Sequence, residues 1–196
     1  MRTIEVKQLN YDLTAVAGLA LVGDYLKTIK PVLKRVDKVL PVRAGKADSD
    51  IVRSYVGLLV QGKSDFDATR NYRLDKFYEQ SLDIELLASS PTLGQRMDAQ
   101  APALPSGKFE TNALVCHLAA LAMNILRGMG QRGLLGPDAP VRHSANRRRI
   151  KTVMQELIYR AGRLVDSRRK LILGLVANDR AAKVFMQMHL ELADAT

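Results

Sequence analysis

The feature that most constrains the fold is an apolar spacing of three and four residues, which recurs in short stretches ended by proline or glycine. The first stretch contains Val16, Leu19, Val22, Leu26 and Ile29, and this is the spacing of one helix face. Hydrophobic residues make up 47% of the chain, enough for such faces to bury a core. We therefore predict a mainly α fold with at most one or two short strands.

The chain divides at residues 99–108, which contain two prolines and a glycine and show no regular spacing of apolar residues. Residues 1–98 (the head) read as five or six short helices after a short strand at residues 3–7. The Ser90-Pro91 pair is typical of a helix start, and we expect it to open the last head helix. Residues 109–196 (the tail) read as an apolar helix, a glycine-rich loop at 128–136, a long helix at 147–165, a strand at 171–176 and a closing helix.

Positive charge is concentrated in the tail. The formal net charge is +10, and residues 101–196 carry 15 basic against 7 acidic side chains, whereas residues 1–100 carry 15 against 13. Closely spaced guanidinium groups suit phosphate oxygens, so nucleic acid is the favoured partner, with an acidic protein or a solvated face as alternatives. The basic segment (residues 142–170) contains Arg142, Arg147, Arg148, Arg149, Lys151, Arg160, Arg163, Arg168, Arg169 and Lys170.

Residues 128–133 match the dinucleotide-binding spacing GxGxxG. That motif works between a strand and the N-terminus of the helix that receives a pyrophosphate. Here it follows a predicted helix, and no helix opens after it. We therefore predict a helix end and flexible turn rather than a nucleotide site.

Two other short motifs have structural explanations. The Asp48-Ser49-Asp50 and Asp65-Phe66-Asp67 triplets resemble magnesium carboxylate pairs, but both precede predicted helices, where acids cap free amides. Cys116 and His117 are adjacent on a helix and point about 100° apart, so we interpret Cys116 as a small core residue. Cys116 and His117, together with His143 and His189, do not form a cluster of metal ligands in the sequence.

The single cysteine excludes an internal disulfide and fits a reducing compartment. The N-terminus has no clean export-signal form. The apolar run at residues 113–126 is interrupted by polar residues and is too short to span a membrane. We expect a cytoplasmic, nucleoid-associated protein without a membrane partner.

Several long blocks resemble insertion-sequence transposases of the thirteen-eighty group. Residues 11–26 (YDLTAVAGLALVGDYL), 40–82 and 89–99 (SSPTLGQRMDA) resemble the N-terminal associated region of these enzymes. Residues 104–127 (LPSGKFETNALVCHLAALAMNILR) and 137–165 resemble their C-terminal end. Nearly the whole chain is covered, in the family's order.

The resemblance implies DNA transposition by a ribonuclease H-like domain, in which two aspartates and one glutamate hold two magnesium ions. In the resembling proteins this domain lies between the two sets of blocks. Here residue 99 reaches residue 104 through only four residues, so no position matches any of the three acids. We therefore expect no catalytic residue, no metal ligand and no cofactor in this chain, although full-length relatives would use magnesium.

The leading hypothesis is a transposase-derived DNA-binding protein, catalytically incomplete, that binds element terminal repeats. The Ser90-Pro91 helix would read DNA, and the cations of the basic segment other than Arg160 would bind its backbone. Alternatives are a protein that associates with full-length transposase or itself and inhibits transposition, an active enzyme, and a non-functional remnant. The head cations expected at phosphates are Arg53, Arg70, Arg73 and Arg96.

Overall fold

The structure is a computed structural model that describes residues 11–39, 45–99, 107–135, 147–167, 170–176 and 179–195. The mainly α fold is confirmed, whereas the strand predicted at residues 3–7 lies outside the described ranges. The head has strand β1 (Asp12–Thr14), helices α1 (Leu19–Thr28), α2 (Lys30–Val39) and α3 (Asp48–Leu59), a 3₁₀ helix (Phe66–Tyr72), α4 (Lys76–Ser81) and α5 (Ser90–Ala99). The tail, together with the last two junction residues, has α6 (Gly107–Gly133), α7 (Ile150–Val153), a π-helical turn (Met154–Ile158), strands β2 (Gly162–Ser167) and β3 (Lys170–Gly174), and α8 (Arg180–Ala193).

A small antiparallel sheet joins the two ends of the chain. Its strand order is β1-β2-β3, so β1 of the head pairs with β2 of the tail. In the register, Leu13 lies opposite Arg163, and Val165 lies opposite Ile172. The strand predicted at residues 171–176 is present as β3, which begins one residue and ends two residues earlier than predicted.

Head and tail contribute to one continuous core. Tyr55 and Tyr78 of the head and Met129, Leu157 and Phe185 of the tail belong to the same cluster of buried side chains. Each large apolar side chain buried in this way contributes about 1.5–3 kcal/mol relative to an exposed one. The predicted junction at residues 99–108 therefore separates two sequence regions that pack together.

The start of helix α1 is central to this packing because the small residues just before it, Ala17 and Gly18, allow the tail backbone to approach. Ala17 N–H donates to Arg160 O at 3.0 Å, and Gly18 N–H donates to Ile158 O at 3.2 Å. A Cβ atom on Gly18 would lie 2.0 Å from the carbonyl oxygen of Leu157. The start of α1 thus contacts the π-helical turn of the tail directly.

The long helix predicted at 147–165 is wrong after residue 158. Tyr159 N–H donates to Met154 O at 2.8 Å, which closes a π turn, and the chain then enters β2. The carbonyls of Ile158 and Arg160 accept from the start of α1 instead of continuing a helical ladder. Pairing with β1 and β3 therefore outweighs the helical spacing of residues 161–165.

The glycine-rich loop predicted at 128–136 is also wrong, because α6 continues to Gly133. Gly128, Gly130 and Gly133 lie inside the helix, where each faces a different neighbour. A Cβ would lie 2.8 Å from Tyr25 Oη at Gly128, and 2.6 Å from Val153 Cγ2 at Gly130. At Gly133 it would lie 2.6 Å from Met188 Sδ. The glycines therefore allow close packing of α6 against its neighbours, and residues 128–133 are helical rather than a nucleotide-binding loop.

Helix α6 is longer than the apolar run suggested. Its segment Asn112–Gly133 is long and apolar enough to cross a membrane by length and composition alone, and 33% of that window is buried in the protein. Cys116, expected in the core, is exposed. The buried face instead includes Leu118, Ala122, Ile125, Leu126 and Met129.

Carboxylates do cap helices, but not always the predicted ones. Asp65 accepts from Asp67 N–H at 2.9 Å at the start of the 3₁₀ helix, as expected. Helix α3 is capped by a residue of α2, since Asp37 Oδ1 accepts a hydrogen bond from Ser49 N–H at 2.8 Å. Asp48 pairs with Arg96 instead. The Asp48 triplet therefore ties α3 to its neighbours rather than capping it by itself.

We expect the protein to lose stability above pH 10 through Tyr78. Burial raises the pKa of Tyr78 well above its ordinary value of 10.0, and nearby Tyr72 and Asp75 add to the shift. The folded state thus holds this proton more tightly than the unfolded state, so the stabilisation is complete below pH 10 and is lost as pH rises. Phenolate absorbance of Tyr78 should appear together with loss of helical ellipticity. Ionisation without unfolding would contradict the prediction, and Tyr78→Phe should unfold less steeply with alkali.

Candidate nucleic-acid interface

The cations predicted to contact DNA fall into three groups. Arg142, Arg168 and Arg169 lie outside the described residues. Four others are in the head and the remaining six are in the tail. Their burial and ion pairs decide which of them remain accessible to a phosphate.

Arg53 does not lie on the surface. It is 6% exposed in the middle of α3, and its Nη1 donates to Asp83 Oδ2 at 2.8 Å and to the carbonyls of Leu82 and Asp83. Asp83 adopts a positive φ of 54° in the turn after α4. Arg53 therefore holds this turn and is removed from the candidate phosphate contacts.

Arg96 also has a structural role. Its side chain is 25% exposed. Its Nη2 donates to Lys46 O at 2.6 Å and lies 3.4 Å from Asp48 Oδ1. The guanidinium joins α5 to the start of α3, so the helix that begins at Ser90 does not present Arg96 freely to DNA.

We expect Arg53→Ala to lower the free energy of unfolding by about 2–3 kcal/mol, because buried carbonyls lose their donor and a long side chain leaves the core. Asp83 is half exposed, so its ion pair adds little. Arg70→Ala is the control, because that side chain is 73% exposed, and it should change stability by less than about 0.5 kcal/mol. Chemical denaturation measures both. Equal stability of Arg53→Ala and the wild type would contradict the structural role.

The other two head cations are accessible. Arg70 is exposed and its Nη2 lies 3.2 Å from Asp67 Oδ1. Arg73 is exposed and has no ion pair within the described part of the chain. Asp67 therefore pairs with the Arg70 guanidinium, so Arg70 is removed from the candidate phosphate contacts, whereas Arg73 remains one of them.

The start of α7 carries the strongest group. Arg147, Arg149 and Lys151 (the tail cations) are exposed and form no ion pair with any described residue. Arg148 is half-buried, and its Nε donates to Leu134 O at 2.8 Å. Cations near a helix N-terminus oppose the helix dipole, so the tail cations are not placed where they would stabilise the fold.

The acids of the basic segment pair with other side chains. Glu156 Oε2 lies 3.9 Å from Arg160, whose guanidinium also pairs with Asp179. Asp166 Oδ2 lies 3.5 Å from Lys76 Nζ of the head. Neither acid therefore neutralises the tail cations.

The outer face of the sheet adds further positive charge. Arg163 is exposed on β2 and lies over the Tyr11 ring, 3.9 Å from its centroid. Lys170 is exposed at the start of β3, opposite Ser167. Tyr11 was missed by the sequence reasoning, because only strand pairing brings the chain's beginning beside Arg163.

A second polar cluster, also missed, lines a cavity of about 330 Å³ between α1, α4, β3 and α8. Asp24 is 5% exposed, and its carboxylate lies 3.0 Å from Lys27 Nζ and 2.5 Å from His189 Nδ1. Asp24 and His189 are 165 residues apart, so no local pattern could have paired them. The arrangement orients the imidazole and ties α1 to α8.

Among the described residues, no group of three or more His, Cys, Asp or Glu side chains is placed to hold a metal ion. Comparison with protein-family models, curated proteins and solved structures finds no match for this chain.

Proposed function

We propose that this protein binds DNA through the phosphate backbone, with the tail cations as its main contacts. The observation that carries the proposal is that Arg147, Arg149 and Lys151 are exposed and form no ion pair with any described residue, while Glu156 and Asp166 of the basic segment pair with other side chains. Arginine forms paired hydrogen bonds with phosphate oxygens, and the released counterions favour binding. Arg163 and Lys170 add two further exposed cations on the sheet.

The sequence resemblance refines the proposal. We propose a transposase-derived protein of an insertion sequence that recognises the element's terminal repeats and does not cleave DNA alone. The short connection between α5 and α6 leaves no room for a catalytic domain, which supports the lack of cleavage. We place the protein in the cytoplasm on the nucleoid, without a membrane partner.

A salt titration tests DNA binding. Fluorescence anisotropy would follow labelled terminal-repeat duplexes and scrambled duplexes at several salt concentrations. Three phosphate contacts give a slope of about −2.7 in log affinity against log salt, so binding should weaken about 40-fold between about 50 and 200 mM salt. A change below about threefold would exclude the phosphate contacts. Equal affinity for both duplexes would remove the terminal-repeat specificity.

A second candidate is association with full-length transposase or with another copy of this chain, which would inhibit transposition. The outer face of the sheet favours it, since Leu13 is 71% exposed, Val165 42% and Ile172 43%. Exposed apolar patches mark interaction sites more often than isolated side chains do. Co-purification with intact transposase after nuclease treatment would support it. Loss of the complex on nuclease treatment would show that DNA bridges the two proteins.

A further inference from the structure

Helix α2 carries a cationic face that the sequence analysis did not assign. Lys30, Lys34, Arg35 and Lys38 are all exposed. Lys30, Lys34 and Lys38 follow one another at four-residue intervals, which places them along one side of the helix. Within the described ranges, none of the four forms an ion pair.

The core-facing leucine and the single acid of α2 already have partners. Leu33 is 3% exposed and belongs to the shared core, and α2 packs against α3. The acid of this helix, Asp37, accepts the Ser49 amide at 2.8 Å and so caps α3. No carboxylate of α2 is therefore free to neutralise the cationic face.

We propose that α2 is a second contact surface for the DNA backbone. This inference rests on the proposed DNA binding and adds a separate surface to it. From Lys30 to Lys38 the helix rises about 12 Å, and a DNA strand carries one phosphate per about 3.4 Å of axis. The face thus spans several phosphates, and lysine contacts them without reading base sequence.

The structure favours DNA over an anionic membrane as the occupant of this face. Basic amphipathic helices bind membranes by burying their apolar face among the lipids. The apolar face of α2 is occupied by the core, and Val32, 56% exposed, is its one exposed large apolar side chain among the described residues. Only the charged face of α2 therefore remains available for binding. Double-stranded DNA carries negative charge more densely than an anionic membrane surface does.

The test compares Lys34→Ala/Lys38→Ala with Arg70→Ala/Lys76→Ala. Both variants remove two exposed cations, but Arg70 and Lys76 are already paired with Asp67 and Asp166. With a labelled scrambled duplex of about 30 base pairs, the α2 variant should lose about 1.8 from the salt slope and roughly 10- to 60-fold in affinity at about 0.1 M salt. The control should stay within about threefold of the wild type.

The outcomes separate this inference from the proposed function. If the wild type fails to bind the duplex, the proposed DNA binding is wrong. If the wild type binds and the α2 variant keeps both its affinity and its slope, only the role of α2 is overturned. Wild-type binding to phosphatidylserine vesicles that the α2 variant loses would assign the face to a membrane and would also overturn it. Thermal unfolding checks that the variant is folded, and Lys34→Gln/Lys38→Gln replaces it if it is not.

Discussion

Replacing Gly23 with alanine is expected to destabilise the protein by about 3 kcal/mol or more, because the new methyl group meets backbone. A Cβ on Gly23 would lie 1.7 Å from the carbonyl oxygen of Ser81, the last residue of α4. Leu21, Val22 and Leu26 around it are almost fully buried, so α1 cannot shift without disturbing the core. For a domain of this size the melting temperature should fall by roughly 6–12 °C.

Gly94→Ala is the matched control for this prediction. Gly94 also lies inside a helix, α5, but a Cβ there would meet only Phe66 Cδ2, at 3.9 Å. Since alanine favours helix by about 0.5–1 kcal/mol over glycine, this variant should be as stable as the wild type or slightly more stable. Denaturant unfolding followed by circular dichroism compares the two. If Gly23→Ala were as stable as Gly94→Ala, the close approach of α1 and α4 would be wrong.

The helices of the head could be predicted because their signals are local. Apolar spacing indicated α1 to α3, and Asp65 caps its helix as expected. The prediction failed where a distant partner decides the structure. Residues 161–165 keep a helical spacing, yet Gly162, Arg163 and Leu164 pair with β1, which lies about 150 residues earlier in the chain. The glycines of α6 were interpreted as a loop because their neighbours Tyr25, Val153 and Met188 are invisible to a local pattern.

The candidate interface was predictable in composition but not in accessibility. The sequence indicated an excess of positive charge in the tail, and Arg147, Arg149 and Lys151 are exposed there. It could not separate Arg53, which holds the turn at Asp83, from Arg73, which is exposed. A sequence records charge, whereas the contacts that neutralise or bury that charge depend on tertiary packing.

Removing two tail cations is expected to weaken DNA binding strongly without weakening the fold. In Arg149→Ala/Lys151→Ala, two phosphate contacts are lost, so the salt slope should fall by about 1.8 and the affinity at about 0.1 M salt roughly 10- to 60-fold. Both side chains are exposed and lie at the start of α7, where cations oppose the helix dipole. The melting temperature should therefore stay the same or rise slightly.

The decisive comparison for the tail cations is again with Arg70→Ala/Lys76→Ala, which lowers the net charge by the same amount. If affinity follows net charge alone, both variants should weaken binding equally, and the assignment of the tail cations would be wrong. If specific contacts carry the binding, only the tail variant should show a reduced salt slope. Arg70 and Lys76 already lie 3.2 Å from Asp67 and 3.5 Å from Asp166. Anisotropy titrations at three salt concentrations distinguish these results, since a lost phosphate contact changes the slope whereas a small change in long-range field mainly shifts the affinity at low salt.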